Sequence, residues 1–100
     1  LINTGGLKLN PEKLEKEWSL FLSFKFILAG EDDPVLGQRI IMVLEPECTI
    51  TKPQILQLFH GNSIAVKFIP KVFYLAKIWH QTDSLKPLRR EIIRNKILLC

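Results

Sequence analysis

Leu14, Trp18 and then Phe21 or Leu22 fall at helical spacing, with Glu15, Lys16 and Glu17 between them. One apolar stripe on an otherwise charged segment predicts an amphipathic helix of about three turns packed against a core. Asn10 is placed to cap that helix, Pro11 has its φ preset for a first helical position, and Glu12 and Glu15 favour the positive end of the helix dipole. Phe24, Phe26 and Leu28 then alternate with Lys25, Ile27 and Ala29, which predicts a strand ending at Gly30. Trp18 and these phenylalanines match the faces a helix and a sheet bury against each other, so they are assigned to the core and not to a stacking platform for bases. Glu31-Asp32-Asp33-Pro34 has the chemistry of a turn, with its acids solvating a loop. The continuous β-branched run Ile40-Ile41-Met42-Val43-Leu44 predicts a central strand buried on both faces, stopped by Pro46.

Thr51-x-x-Gln54 with Pro53 in the first turn predicts a capped second helix, its buried stripe Ile55, Leu58 and Phe59 and its stop Gly61. His60 beside that stop suits the negative end of the helix dipole, a structural role. Ser63 to Ile69 has no clear period and admits a short turn of helix. Val72 to Ile78 predicts a third strand, and Pro87 can start a last helix with Leu88, Ile92, Ile93 and Ile97 facing inward. The expected fold class is therefore α+β: a small, mostly antiparallel three-stranded sheet with about three packed helices, preceded by a glycine loop or short hairpin.

Composition narrows the class. Residues 1–100 suffice for one domain with a single core, and 47% hydrophobic with 24% charged residues is the balance of a folded globule. No apolar run is long enough to span a bilayer. The chain opens on Leu1, without a basic segment followed by an apolar one, and is expected to be a piece excised from a longer protein. Cys48 and Cys100 are far apart and have no Cys or His at metal-ligand spacing, so reduced thiols of a cytoplasmic protein are expected, with no metal site. The net charge of +4 is uneven: from Lys71 onward Lys71, Lys77, Lys86, Arg89, Arg90, Arg94 and Lys96 face only Asp83 and Glu91. Such a basic third suits anionic ligands, whether nucleotide phosphates, coenzyme A or nucleic acid.

The opening Ile2-Asn3-Thr4-Gly5-Gly6-Leu7-Lys8-Leu9-Asn10-Pro11-Glu12-Lys13-Leu14-Glu15 carries the most specific pattern. Adjacent glycines permit positive φ and leave no side chain to block a ligand. The string resembles the Gly-Gly-x-Lys-(hydrophobic)-x-Pro-x-Glu-(hydrophobic)-Glu motif that opens the small C-terminal domain of adenylate-forming enzymes, the acyl-CoA synthetases and their relatives. Ile2 to Lys8 is most similar to the o-succinylbenzoate–CoA ligases of menaquinone synthesis. Gly30 to Gly37 and Pro70-Lys71 also resemble connecting segments of that family. The stretch after Ile78 is similar to its closing motif, Pro-x-Thr-x-x-Gly-Lys-(hydrophobic)-x-Arg, with Thr82, Lys86 and Arg89 at the matching positions. Leu85 stands where the family has glycine, His80 near its proline, and Pro87 in place of an aliphatic residue.

The resemblance implies a mobile lid domain that works with a large N-terminal adenylation domain of the same chain. ATP and coenzyme A would be substrates, with a carboxylic acid and with Mg2+ in the full-length enzyme but not on this piece, which alone would be inactive. It assigns adenylation to Lys86 and support to Thr82 and Arg89, and it places Gly5 and Gly6 beside the pantetheine arm in the thioester step. Lys8 would secure the glycine turn, meet a phosphate, or simply be solvated. If the lysine loop needs positive φ at its glycine position, Leu85 must adopt it under strain. Two other classes stand beside this reading. One is a basic nucleic-acid-binding module using Lys86, Arg89, Arg90, Arg94 and Lys96, although no recognition signature is present and nucleic acid is not the expected partner. The other is a ligase-like domain that binds without catalysing.

Overall fold

In the computed structural model, which describes residues 1–99, six strands form one mixed sheet with three helices packed on it. Cys100 lies outside the described residues. The chain runs β1 (Ile2–Thr4), β2 (Leu7–Leu9), α1 (Pro11–Trp18), β3 (Phe26–Asp33), β4 (Gly37–Leu44), α2 (Lys52–Gly61), β5 (Val72–Ala76), α3 (Arg89–Arg94) and β6 (Lys96–Leu98), with one 3-10 turn at Val66–Phe68. The order across the sheet is β2-β1-β4-β5-β6, and β3 pairs with β4 on its other side.

The longest pairing is the β3–β4 hairpin, in register from Phe26 opposite Leu44 to Asp33 opposite Gly37. β5 lies parallel to β4 (Ile41 beside Val72 through Leu44 beside Leu75), which α2 makes possible by carrying the chain back across the sheet. The expected three-stranded sheet is thus corrected to a larger one, which is mostly antiparallel as expected and mixed only through the parallel β4–β5 pair. The missed strands are short. Ile2–Thr4, Leu7–Leu9 and Lys96–Leu98 each hold three residues, too few for alternation to declare itself.

Alternation along β3 and β4 sorts the core into two layers. Phe26, Leu28, Ile40, Met42 and Leu44 face α1 and α2, where Trp18, Ile55 and Phe59 fill the space between helices and sheet. The Trp18 and Phe59 rings meet edge to face with centroids 4.7 Å apart, so the two helices share one aromatic contact. Ile27, Ile41 and Val43 face the other way, covered by Ile92 of α3.

The helix caps follow the sequence. Asn10 Oδ1 accepts from the N–H groups of Glu12 and Lys13, and Thr51 with Gln54 forms the complete capping box. α1 is shorter than expected, yet Leu22 is still buried because its N–H folds back onto the Trp18 carbonyl. α2 ends at Gly61 as expected, but the left-handed residue that closes it is not that glycine. Ser63 takes the left-handed conformation (φ 57°), and Ser63 and Ile64 N–H donate to the His60 and Phe59 carbonyls, a Schellman ending built without glycine.

Three further expectations change. The acids after Gly30 belong to β3 and not to a loop: Glu31 is bonded by Arg39 across the hairpin and by the Tyr74 hydroxyl at 2.8 Å. Burial opposes ionisation of Glu31, but the Arg39 and Tyr74 bonds outweigh it and hold the carboxyl below its usual range. The third strand stops at Ala76, not Ile78, because Asn95 Oδ1 takes the N–H groups of Lys77 and Ile78 at 2.7 and 2.9 Å. The last helix starts at Arg89 and spans six residues, so Ile92 is buried while Leu88 and Ile97 are exposed.

Two measurements test this packing. Trp18→Ala should lower unfolding free energy by about 3–5 kcal/mol in urea titrations, since it empties the contact shared by both helices. Asp33 accepts from Leu36 and Val35 N–H, which depresses its pKa. A depressed carboxyl adds stability above its unfolded pKa and loses it as pH falls through the folded one. Asp33→Ala should therefore flatten the loss of stability measured by urea titration below about pH 4.

Candidate functional site

The residues from Gln81 to Pro87 form a closed hairpin. Gln81 and Pro87 pair as an antiparallel bridge, and the Leu88 N–H reaches the His80 carbonyl at 3.0 Å. Thr82 shapes the turn twice over. Its N–H donates to the Lys86 carbonyl at 2.9 Å, and its Oγ1 accepts from the Lys86 N–H at 3.0 Å. Leu85 has φ of 68°, the left-handed conformation that glycine would adopt freely and leucine holds only against steric resistance. Its side chain is 65% exposed, so no burial offsets that strain.

Lys86 follows directly, exposed and without an ion pair among the described residues. It borders an open groove of about 770 Å³ between this hairpin and α1, which also takes in Lys13, Lys16, Lys25, Phe24 and Trp79. The Trp79 indole N–H is buried and has no hydrogen-bond partner among the described residues. Arg89, at the hairpin's exit, points back instead of outward. It forms a two-pronged ion pair with Glu15 of α1, one prong at 2.8 Å, and donates to the Leu28 carbonyl at 3.2 Å. Hydrogen bonding to Glu15 raises the Arg89 pKa further.

Gly5 and Gly6 occupy the two-residue turn between β1 and β2, with φ of 53° and 85°. Both values positive is the turn that matches strand twist, and it is open to few residues besides glycine. Both glycines are exposed, and nothing lies within 4 Å of where a Gly6 Cβ would stand. Lys8 is exposed on the neighbouring strand.

The sequence-selected residues therefore form two groups. Thr82, Lys86 and Arg89 gather at one end of the β3–β4 hairpin, where Lys25 Nζ, just before β3, lies 3.5 Å from Gln81 Oε1. Gly5, Gly6 and Lys8 lie at the other end, where the Gly5 N–H donates to the carbonyl of Leu36, just after β3. The eight residues of β3 separate the groups, roughly 25 Å along the strand. Glu15 was read as an acid of the first helical turn and as the last residue of the opening motif, and was given no role at the site. Its place beside Leu14 and Trp18, on the flank of the buried stripe, was the available signal.

Among the described residues, no three His, Cys, Asp or Glu side chains gather to hold a metal. Of the acids after Gly30, Glu31 is committed to Arg39 and Tyr74, and Asp33 to two backbone N–H groups, which leaves neither free for Mg2+. Among the described residues, no helix is long and apolar enough to cross a membrane.

No family model matches the chain, and none of the curated proteins matches it by sequence. Solved structures do. An acyl-CoA synthetase (AMP-forming)/AMP-acid ligase II-like protein from Dyadobacter fermentans superposes with a TM-score of 0.73 at 23% identity, over 93% of this chain and 28% of that one. An o-succinylbenzoate CoA synthetase (MenE) double mutant from Bacillus subtilis, bound with the product analogue OSB-NCoA, gives 0.80 at 20% identity, over 100% of this chain and 21% of that one. ATP-bound MatB from Rhodopseudomonas palustris gives 0.71 at 18% identity, over 95% and 19%. The chain has the fold of an acyl-CoA synthetase segment. It spans less than a third of the length of each of these enzymes.

Leu85→Gly should relieve the left-handed strain and outweigh glycine's entropic cost, raising stability by about 0.5–1 kcal/mol in urea titrations. A loss of stability would show that the leucine is held by favourable contacts.

Proposed function

We propose that this chain is the mobile C-terminal domain of an ATP-dependent carboxylic acid–CoA ligase, working with a large adenylation domain of the same protein. One observation carries the reading: a lysine that is exposed and has no ion pair among the described residues lies on a closed hairpin at one end of the sheet, and a bare-backbone turn lies at the other. The fold shared with acyl-CoA synthetases supports it, as do the opening and closing motifs.

Two steps need these two ends. In the first, a carboxylate oxygen attacks the α-phosphorus of ATP, the bond to the β-phosphate oxygen breaks and pyrophosphate leaves. Two anions must meet, and negative charge concentrates on the non-bridging oxygens. The Lys86 ammonium, a compact charge on a flexible stem, offsets that charge without giving up a proton. In the second, the thiolate of coenzyme A attacks the acyl carbonyl and AMP leaves. A thiol on a long narrow arm needs a passage without side chains, which Gly5 and Gly6 provide. Lys8 stands beside that turn for a phosphate of coenzyme A. The first acid proposed is o-succinylbenzoate, on the string Ile2-Asn3-Thr4-Gly5-Gly6-Leu7-Lys8. The isolated domain is inactive, and Mg2+ belongs with the ATP site of the large domain.

In the full-length protein, Lys86→Ala should lower acyl-adenylate formation by about 10²–10³-fold, the scale for removing one transition-state charge partner. Thioester formation from supplied acyl-AMP should persist. Unchanged pyrophosphate release would remove Lys86 from the role. Gly6→Asn adds bulk while tolerating positive φ. It should slow the thioester step more than adenylation, as read by comparing coenzyme A consumption with pyrophosphate release.

A further inference from the structure

We propose that Glu15 is a positioning residue for the first half-reaction, holding Lys86 in place through Arg89. The inference rests on the reading of Lys86 above and extends it to a residue on a different element.

The hairpin carrying Lys86 has few ties to the body of the domain. Its own bonds, from Thr82 to Lys86 and from Leu88 to His80, are internal and fix its shape, not its placement. Lys25 Nζ approaches Gln81 Oε1 at 3.5 Å, a weak contact. The helix that follows the hairpin has six residues and no side-chain cap.

Arg89 supplies the strong tie. It stands two residues after Pro87, where the hairpin closes, and both carboxylate oxygens of Glu15 engage its guanidinium. The pair is partly withdrawn from water, with side-chain exposures of 32% for Arg89 and 15% for Glu15. The planar, two-pronged geometry fixes direction as well as distance, which a single contact to a lysine could not do. Glu15 is itself held, since its Oε2 accepts from the Leu28 N–H at 2.7 Å while Arg89 donates to the Leu28 carbonyl. Helix α1, strand β3 and the root of the lysine hairpin thus meet at one carboxylate. Withdrawing its charge frees Arg89, and with it the stem on which Lys86 stands.

Glu15→Gln separates placement from folding, because the amide oxygen still accepts from Leu28 while the charge is gone. In the full-length protein, pyrophosphate release on acid activation should fall by about ten- to a hundredfold, the range for a displacement near one ångström. Thioester formation from supplied acyl-AMP should stay within about twofold. Arg89→Gln should act likewise, and the double variant should be no worse than the poorer single one, since both remove the same tie. The inference is overturned if Glu15→Gln leaves pyrophosphate release unchanged, if both half-reactions fall together, or if the two substitutions add. Lys86→Ala, run in parallel, separates the causes. If it spares adenylation, the reading of Lys86 fails and takes this inference with it. If it abolishes adenylation while Glu15→Gln does not, only the role of Glu15 fails.

Discussion

The architecture depends on one constraint, the need to satisfy an edge strand. Among the described residues β3 pairs only with β4, so the Leu28 N–H and carbonyl have no neighbouring strand there to bond. An unpaired edge invites pairing with other chains and leaves polar groups uncompensated. Glu15 and Arg89 take the place of the missing strand, one accepting from the Leu28 N–H and the other donating to its carbonyl. In doing so they also fasten α1 to β3 and fix where the segment after β5 must return. A single ion pair thus covers the edge at Leu28 and ties the segment after the lysine hairpin to α1 and β3.

The rest of the molecule keeps the glycine turn and the lysine hairpin apart. Between them lie the β3–β4 register and the aromatic contact of Trp18 with Phe59. Gln38 runs across Gly30 and accepts from the Asn3 N–H at 2.8 Å, tying the glycine hairpin to the same central pair. A Cβ at Gly30 would come within 2.9 Å of the Gln38 side chain, so the bare backbone there leaves room for the tie. Both ends are presented by short turns with unusual backbone, one made of glycines and one that forces a leucine into the left-handed region.

Much of this was legible in the sequence. Both capped helices, the apolar run of β4 and the burial of Trp18, Leu22, Ile55 and Phe59 follow from periodicity and capping chemistry alone. The left-handed backbone of Leu85 was foreseeable from its place in a turn that resembles one built with glycine. What pattern reading missed was decided by partners distant in sequence. Glu31 and Asp32 looked like loop acids until Arg39 and Tyr74 were known to lie beside Glu31. Ile97 looked inward because a helical period was extended through Asn95, whose side chain ends α3 and hands the chain to β6. Arg89 stood out as a motif residue, yet its partner, 74 residues away, left no local mark.

That separation shapes how the chain closes on itself. Joining Glu15 to Arg89 gathers 74 residues into one ring, whereas Glu31 and Arg39 are only 8 apart. The longer ring costs about 2 kcal/mol more in chain entropy. The segment that leaves the lysine hairpin is therefore tethered by one of the most non-local side-chain bonds in the domain, and that tie belongs to the completed tertiary structure and to no shorter stretch of the polypeptide.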